Sequence, residues 1–262
     1  MKGFFNKRRL QLLELIARNE SMAVKDLSDL LNVTEATIRT DLDVLEENGK
    51  IVRFHGGARL IENRHKQEFD YQNRKKLNFH KKLAIGAVAA EFVNSNESIM
   101  LDASTTSFAM VQSLRNRDDL RFVTVIPFGI WSAVELLGYE HFNILLSGGY
   151  LHHSSDSITG VTNVDFFEGL HVQKAFLGAW GVSVKEGFSD RHLQDVELKK
   201  MMIKKAKEVV VMVDGSKFSQ SGVVSYAEIN NVSKIITDKS APMAVIDNIR
   251  SLGVEVIVAN NK

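Results

Sequence analysis

Three short stretches of the sequence place hydroxyl, carboxylate and lysine side chains directly after apolar segments, where they could bind an anionic small molecule. Asp102, Ser104, Thr105 and Thr106 occur in LDASTTSFAM, between a predicted strand and a predicted helix. A helix N-terminus offers free backbone N–H groups and the positive end of the helix dipole to an anion, and nearby hydroxyls add donors. Ser and Thr are also common helix caps, so this stretch alone leaves both interpretations open.

The other two stretches have the same position relative to predicted strands. Gly148 and Gly149 end the segment LLSGG, and Asp214 and Lys217 lie in VDGSKF, after the apolar run VVVMV. Most lysines are surface residues, but a lysine at the mouth of a crevice is a reasonable partner for a phosphate or a sugar hydroxyl. Glu197, three residues before a lysine on one predicted helix, is by itself more typical of a solvated ion pair.

The elements that must position these residues alternate along the second part of the chain, which predicts an α/β domain with a mainly parallel sheet. Short, nearly all-apolar strands suit a parallel sheet covered on both faces, and ligands of such sheets bind at the carboxyl ends of the strands. The predicted strands are 98–101, 122–126, 144–146, 175–177, 209–213, 234–237 and 254–258. The predicted helices are 82–93, 106–115, 131–137, 193–207 and 243–252.

The first part of the chain has shorter elements and predicts a helix-turn-helix followed by a hairpin. Apolar stripes are expected from Leu10, Leu13, Ile16 and Ala17 on a first helix, 6–18, and from Leu27, Leu30 and Leu31 on a second helix that begins near Val24. Thr34 is the expected N-cap of a third helix, which buries Ile38, Leu42 and Leu45 and ends at Asn48-Gly49. Residues 51–54 and 58–61 can pair around His55-Gly56-Gly57 as a hairpin.

This arrangement leaves polar side chains on the outside of the third helix and on the hairpin, where they could contact duplex DNA. A helix in the major groove reads base edges through such groups, and basic residues on a hairpin contact phosphates. A polar helix face alone usually faces only solvent, but the complete order of elements favours DNA binding. The candidate DNA-binding residues are Thr34, Glu35, Thr37, Arg39, Thr40, Arg53, His55 and Gly56, with Asp43 and Arg59 nearby.

The stretch TEATIRTDLDVLEENGKIVRFHGGA resembles the winged helix-turn-helix of the DeoR family of bacterial transcriptional regulators. The matching positions include Thr37, Ile38, Arg39, Asp41 and Leu42, and those in the terminal R-x-H-G-G-A. Thr34 and Thr40 stand where the family more often has a serine and a second arginine, which implies a different operator but the same mode of reading.

The resemblance extends over practically the whole chain, because LDASTT, LSGG, DVELKKMMIKKA and DGSKF follow in the order of DeoR-family sensor domains, which are similar to ribose-5-phosphate isomerase. One departure is Thr124 in TVIPFG, where the family often has T-N-S. The resemblance implies a pocket for a phosphorylated sugar effector. The implied effector-binding residues are Asp102, Ser104, Thr105, Thr106, Gly148, Gly149, Glu197, Asp214 and Lys217.

Length and composition are consistent with two globular domains. The 262 residues are 44% hydrophobic and 25% charged, with a net charge of +1, so overall charge does not indicate a nucleic-acid or membrane partner. The chain has no cysteine and no apolar run of membrane-spanning length, which predicts a cytoplasmic protein without a membrane partner. We expect residues 1–61 to bind DNA, 62–79 to be a linker and 80–262 to bind the effector.

The competing hypotheses are an isomerase and an interaction module without a ligand. Isomerisation needs a base beside the substrate carbonyl, and AFLGAWGVS offers Ala179, Trp180 and Gly181 where similar isomerases have carboxylates. His152-His153 has no acidic partners at metal-ligand spacing, so neither metal nor cofactor is expected. The sequence therefore predicts a non-enzymatic homo-oligomeric regulator, dimer or tetramer, that binds operator DNA. Repression of transcription is expected only because the resemblance is to a family whose members usually repress.

Overall fold

The computed structural model describes residues 7–19, 21–47, 50–54, 56–60, 71–152, 156–160 and 166–260. The chain divides into two compact units, residues 1–67 and 68–262. His55, the Asn48-Gly49 helix end and Ile61, which the sequence assigned to the third helix and the hairpin, lie outside the described residues.

The first unit is built from three helices and a small sheet. The helices are α1 (Lys7–Asn19), α2 (Val24–Leu31) and α3 (Glu35–Glu47). Ile38, Leu42 and Leu45 of α3 are fully buried, as the sequence predicts from their spacing. Asn32 closes the turn after α2 in a left-handed conformation, with φ of 52°, which asparagine adopts more readily than most residues.

The apolar stripes predicted for α1 and α2 were partly wrong. On α1 the fully buried residues include Leu12 and Ile16, four apart, whereas Leu10 is 45% exposed. On α2 the core residues are Val24 and Leu27, and Leu30 is 61% exposed. Both helices are short and rich in leucine, so several helical phases fit the apolar pattern equally well and packing selects one of them.

A buried ion pair joins α1 to α3. The carboxylate of Asp41, which is 1% exposed, accepts from Arg8 Nε at 2.5 Å and from Arg9 Nε at 2.8 Å. Asp41, which matches the family pattern, therefore has a structural role on the inner side of α3.

The sheet of the first unit has the strand order β1-β3-β2, with β1 at Ser21–Ala23, β2 at Ile51–Phe54 and β3 at Gly57–Leu60. β2 and β3 form the expected antiparallel hairpin, and the sequence missed β1. β1 has three residues and no alternation of its own, so only its pairing with β3 defines it as a strand. Gly57 fits because an added Cβ would lie 2.5 Å from the carbonyl oxygen of Met22 in β1.

The second unit is organised around a parallel sheet of seven described strands. In chain order they are β4 (Ser98–Leu101), β5 (Val123–Pro127), β6 (Phe142–Ile144), β9 (Val172–Leu177), β12 (Ala206–Met212), β14 (Lys234–Asp238) and β15 (Glu255–Ala259). Their spatial order is β15-β14-β12-β9-β4-β5-β6. The order reverses between β9 and β4, and such a switch point leaves a crevice at the carboxyl ends of the strands.

Helices cover both faces of this sheet. They are α4 (Tyr71–Lys76), α5 (Phe79–Ala90), α6 (Thr105–Leu114), α7 (Ile130–Leu136), α8 (Leu193–Lys205) and α9 (Met243–Ser251). Alternating residues of β12 belong to two separate cores, Val210 and Met212 to one and Val209 and Val211 to the other. This double burial explains why β12 has no polar alternation in the sequence.

Smaller strands lie beside the sheet. β7 (Tyr150–His152) pairs with β8 (Ser157–Thr159), and β11 (Gly187–Asp190) lies between β10 (Gly181–Ser183) and β13 (Val224–Ala227). None of the described helices has the length and apolar character required to cross a membrane.

Candidate DNA-binding surface and effector cleft

The outer face of α3 carries the residues that the sequence selected for DNA contact. Thr34 caps the helix, because its Oγ1 accepts the N–H of Thr37 at 3.3 Å. Glu35, Arg39 and Thr40 are exposed on the following turns, and the Thr40 hydroxyl donates to the carbonyl of Ala36 at 3.0 Å. These residues form one polar surface on the side of α3 opposite its buried leucines.

Two exposed ion pairs hold the arginines of this surface. Arg39 donates to Glu35 one turn away at 2.8 Å, and Arg53 of β2 pairs with Asp43 of α3. The backbone N–H of Arg53 also donates to Glu46 at 2.9 Å, which joins the hairpin to the helix. Exposed ion pairs contribute about 0.2 to 1 kcal/mol each, so a phosphate or base can replace the carboxylate at small cost.

The hairpin turn places Gly56 at its tip. Gly56 has φ of 87° and no atom within 4 Å of an added Cβ, so backbone conformation rather than crowding favours glycine there. Arg59 is exposed opposite Val52, on the outer face of the sheet.

A cleft opens at the switch point of the second unit, where the carboxyl ends of β4, β9 and β12 meet. Its free volume, including the open mouth, is about 750 Å³. Among the residues that line it are Arg74, Leu77, Lys82, Asp102, Ala103, Ser104, Thr105, Thr106, Gly178, Trp180, Asp190, Asp195, Lys199, Asp214 and Lys217. Its location, at the carboxyl ends of the strands beside the switch point, is where parallel α/β sheets bind ligands.

Asp102 ties the loop after β4 to the neighbouring strand β9. Its Oδ1 accepts the backbone N–H of Ser104 at 3.0 Å and the hydroxyl of Ser107 at 2.5 Å, and its Oδ2 accepts the N–H of Gly178 at 2.7 Å. Burial by itself raises the pKa of Asp102, but Lys199 and these hydrogen bonds outweigh burial and lower the pKa below its ordinary value. Asp102 is therefore an ionised positioning residue of the cleft.

Lys199 supplies the positive charge of the same network. Its Nζ donates to Asp190 at 2.5 Å and to the carbonyl of Gly178 at 2.8 Å, and lies 3.2 Å from Asp102. Burial lowers the pKa of Lys199, but Asp190 and Asp102 outweigh burial and raise it. The hydroxyl of Tyr226 also donates to the carbonyl of Gly178, so both the N–H and the carbonyl of Gly178, which belong to successive peptide groups, have side-chain partners.

The start of α6 supplies donors to the cleft. Ser104 caps the helix by accepting the N–H of Ser107 at 3.1 Å. The first N–H groups of an α-helix have no acceptor within the helix, and Thr105 and Thr106, which carry two of them, line the cleft. The N-terminus of α6 therefore favours the binding of an anion.

The far wall of the cleft contains Asp214, Lys217 and Trp180. Asp214 caps the short helix Gly215–Ser219 by accepting the N–H of Ser216 at 3.0 Å. Lys217 Nζ lies 4.7 Å from the centre of the Trp180 ring, and the guanidinium of Arg191 lies 3.7 Å from it. The Trp180 ring therefore makes cation–π contacts with both side chains. It stands at a position where the isomerase hypothesis requires a carboxylate.

Comparison with known protein families identifies both units. The DeoR-like helix-turn-helix domain matches residues 8–64, and the DeoR C-terminal sensor domain matches residues 77–239. This chain belongs to the DeoR family. Its first unit is the DNA-binding part of a transcriptional regulator, and its second unit is the family's sensor domain.

Individual relatives agree with this assignment to the DeoR family. The chain is 31% identical to the HTH-type transcriptional regulator GolR of Listeria innocua, with 97% of this chain and 98% of GolR covered. It is 32% identical to the HTH-type transcriptional repressor GlcR of Bacillus subtilis, with 96% and 95% covered. Both are named as regulators rather than enzymes, and regulation of transcription is the activity of this chain.

Among solved structures, ribose 5-phosphate isomerase A of Methanocaldococcus jannaschii is 22% identical. It covers 54% of this chain and 55% of its own, with a TM-score of 0.40. Similarity at this level supports no argument about the activity of a DeoR-family chain.

The cleft brings together six of the nine residues predicted to bind the effector: Asp102, Ser104, Thr105, Thr106, Asp214 and Lys217. Gly148 and Gly149 follow β6, with φ of 68° and 126°, and are not among the residues that line the cleft. Glu197 lies on the exposed side of α8, paired with Lys200 at 3.0 Å. Glu197 is not among the residues that line the cleft, and its role in effector binding stays a prediction.

The sequence also missed cleft residues, and one of them carried a detectable signal. Lys199 lies three residues after Val196 and three before Met202, both fully buried, so it falls on the buried face of α8. Asp195, one turn before Lys199, lines the cleft with a pKa that burial raises, although Lys199 lowers it. Arg74 and Lys82 lay in or next to the predicted linker and carried no such signal.

Proposed function

We propose that this DeoR-family regulator represses a carbohydrate operon and is released from its operator by a phosphorylated sugar. The observation that carries the proposal is the cleft at the switch point, where the N-terminus of α6 and Lys217 meet in a chain that also has a winged helix-turn-helix. GlcR, a relative of similar length, is named as a repressor. A helix N-terminus and a lysine suit a phosphate, and the Asp and Thr side chains suit sugar hydroxyls.

In the proposed DNA complex, α3 enters the major groove and the β2–β3 hairpin contacts the flanking backbone. In this complex Arg39 and Glu35 would reach base edges, and Arg53 and Arg59 would contact phosphates. One short helix reads few base pairs, so we propose that a dimer or tetramer binds paired half-sites in the cytoplasm. The proposed DNA-contacting set is Thr34, Glu35, Thr37, Arg39, Thr40, Arg53, His55 and Gly56.

We propose residues 1–61 as the DNA-binding domain. The predicted linker, 62–79, needs amendment, because α4 and Asn78 belong to the second compact unit. Asn78 Nδ2 donates to Asp214 Oδ1 at 3.0 Å. We therefore propose that the effector domain begins no later than Tyr71 rather than at residue 80.

A thermal-shift screen with sugar phosphates tests the effector proposal. A ligand that binds only the folded state raises the melting temperature by an amount set by its affinity and concentration. Glucose 6-phosphate, fructose 1-phosphate, fructose 6-phosphate and the matching unphosphorylated sugars are suitable probes. Stabilisation by a phosphorylated sugar alone, with release of operator DNA, supports the proposal, whereas no shift with any of them contradicts it.

A further inference from the structure

We propose that Arg74 binds the anionic group of the effector, and that α4, the first described helix after the hairpin, thereby couples the cleft to the linker. The inference rests on the proposed function, because it requires an anionic metabolite in the cleft. It extends the site to a part of the chain that the sequence assigned to the linker.

α4 is packed into the wall of the cleft. Tyr71, at its start, is 3% exposed, and Lys75 Nζ lies 3.9 Å from the centre of the Phe108 ring of α6. After α4, the side chain of Asn78 donates to Asp214 and, at 3.3 Å, approaches the hydroxyl of Ser216. α4 and the turn that follows it are therefore held against both walls of the cleft.

Lys82 fixes the end of α4. Its buried Nζ donates to the backbone carbonyl of Arg74 and, at 2.7 Å, to that of Leu77. Carbonyls at the end of a helix lack partners within the helix, and a cation is favourable there. Lys82 of α5 thus donates hydrogen bonds to backbone carbonyls at the end of α4. The side chain of Arg74 remains available to the cleft.

Arg74 has hydrogen-bonding capacity that the described residues leave unused. It lines the same cleft as Thr105 and Thr106, and its Nε is buried without a hydrogen-bond partner. A buried N–H without an acceptor is unfavourable, so a bound oxyanion at this point gains more than a surface contact would. The planar guanidinium can also bind two phosphate or carboxylate oxygens at once.

The neighbouring cations support this assignment to Arg74. Lys199 and Lys82 already use their donors on carboxylates and carbonyls of the protein. The pKa of Lys82 is lowered to about 8, mainly by burial, with Lys217 and Arg74 lowering it further against the opposing effect of Asp214. The cleft lining as a whole carries four basic and four acidic side chains, so the case for an anion at this point rests on the unused donor of Arg74.

The position of α4 in the chain, directly after the linker, connects anion binding by Arg74 to the linker. Only residues 61–70 separate α4 from strand β3 of the hairpin. An anion held by Arg74 on one side and the start of α6 on the other would clamp α4 onto the cleft, which fixes the point at which the linker leaves the sensor domain. α4 would then be the part of the sensor domain through which effector binding is coupled to the linker.

The test uses the full-length protein with Arg74→Ala, Arg74→Lys and the control Lys76→Ala, which removes an exposed cation from the same helix. The probes are the three sugar phosphates above and inorganic phosphate. We expect Arg74→Ala to weaken binding of the active sugar phosphate about tenfold to a hundredfold, Arg74→Lys to recover part of that loss, and Lys76→Ala to bind normally. Operator affinity without a sugar phosphate should be unchanged in the control Lys76→Ala.

Amide hydrogen exchange measures whether effector binding stabilises α4. In the unsubstituted protein the active sugar phosphate should slow amide exchange of residues 71–78, and in Arg74→Ala that protection should be lost even when the cleft is saturated. Equal sugar-phosphate binding by Arg74→Ala and the unsubstituted protein, or no protection of residues 71–78, would overturn this inference alone. If no probe binds the unsubstituted protein, the proposed function fails and the inference fails with it.

Discussion

Lys199 and Lys200 are adjacent lysines on α8 with opposite surroundings. Lys199 contacts Asp102 and Asp190 with 6% of its side chain exposed, whereas Lys200 forms an exposed pair with Glu197. Lys199→Met should destabilise the second unit by about 3 to 5 kcal/mol, because the buried carboxylate of Asp102 and the partly buried one of Asp190 lose their cation. Lys200→Met, the matched control, should change stability by less than about 0.5 kcal/mol.

Tryptophan fluorescence during urea unfolding measures both variants, because Trp131 and Trp180 are the only tryptophans and both lie in the second unit. Similar midpoints for the Lys199 and Lys200 variants would show that the buried network contributes nothing to stability.

The lowered pKa of Asp102 makes the stability of the second unit dependent on pH. A carboxyl whose pKa is lower in the folded state stabilises fully above its unfolded pKa of about 4, and this stabilisation is lost as pH falls through the folded pKa. Asp102→Asn should therefore lower the unfolding free energy at neutral pH and reduce the acid-induced fall below about pH 4. Urea titrations over that pH range measure it, and parallel pH curves for the two proteins would refute the assignment.

Asp102 accepts the backbone N–H of Gly178 in the cleft, and Lys199 and Tyr226 donate to its carbonyl. An added Cβ would lie 2.6 Å from both Cβ and Oγ of Ser104, so Gly178→Ala should displace the start of α6. We expect a loss of about 1 to 3 kcal/mol of stability and loss of the sugar-phosphate thermal shift, with operator binding retained.

Gly169→Ala is the control for Gly178→Ala, because nothing lies within 4 Å of its added Cβ. If Gly178→Ala responds to the active sugar phosphate as Gly169→Ala does, close packing at Ser104 is not required for the site.

At the scale of elements, we expect α3 and the hairpin to contact different parts of the DNA. Arg39, on the exposed face of α3, should contact bases, so Arg39→Ala should cost about 1 to 3 kcal/mol on the operator and little on random duplex DNA. Arg53, on β2, should contact phosphates, so Arg53→Ala should weaken binding to the operator and to random DNA alike. It should also reduce the number of salt ions released on binding by about one. Anisotropy titrations at several salt concentrations separate the two, and equal effects on both DNAs would contradict this division.

Elements with a strong local pattern were predictable from the sequence. The strands of the parallel sheet were located from short apolar runs, although β6, predicted at 144–146, lies at Phe142–Ile144 and shares only Ile144 with the prediction. The helix α3 was predicted because Ile38, Leu42 and Leu45 recur at helical spacing. β1 was missed because its only strand feature is pairing with β3, and the phases of α1 and α2 were not determined by their leucines.

The sequence also predicted those parts of the candidate site that follow a strongly patterned element. The loop at Asp102 and the segment at Asp214 were predicted because they follow strands whose carboxyl ends must share one edge. Glu197 was named from the family resemblance, and Lys199 was missed because its partner Asp102 lies far away in the chain, where no local pattern connects the two residues. α4 was missed because a six-residue basic helix has no apolar stripe, and its contacts with Lys82 and Asp214 depend on the tertiary fold.

At the scale of the whole molecule, the proposed function requires the two units to be thermodynamically coupled. A sugar phosphate that lowers operator affinity must itself bind less tightly when the operator is present, by the same factor. We expect a factor of about 5 to 150, the usual range of such couplings. Titration of the active sugar phosphate with and without saturating operator measures it, and equal affinities in the two titrations would exclude allosteric release.

Selection of an operator from a random duplex pool, followed by anisotropy titration at low ionic strength, tests the central claim most directly. Full-length protein should bind the selected duplex far more tightly than random DNA, and one of the sugar phosphates should reverse that binding. Failure to enrich any sequence, with equal and weak binding to all duplexes in the absence of sugar phosphates, would contradict the account.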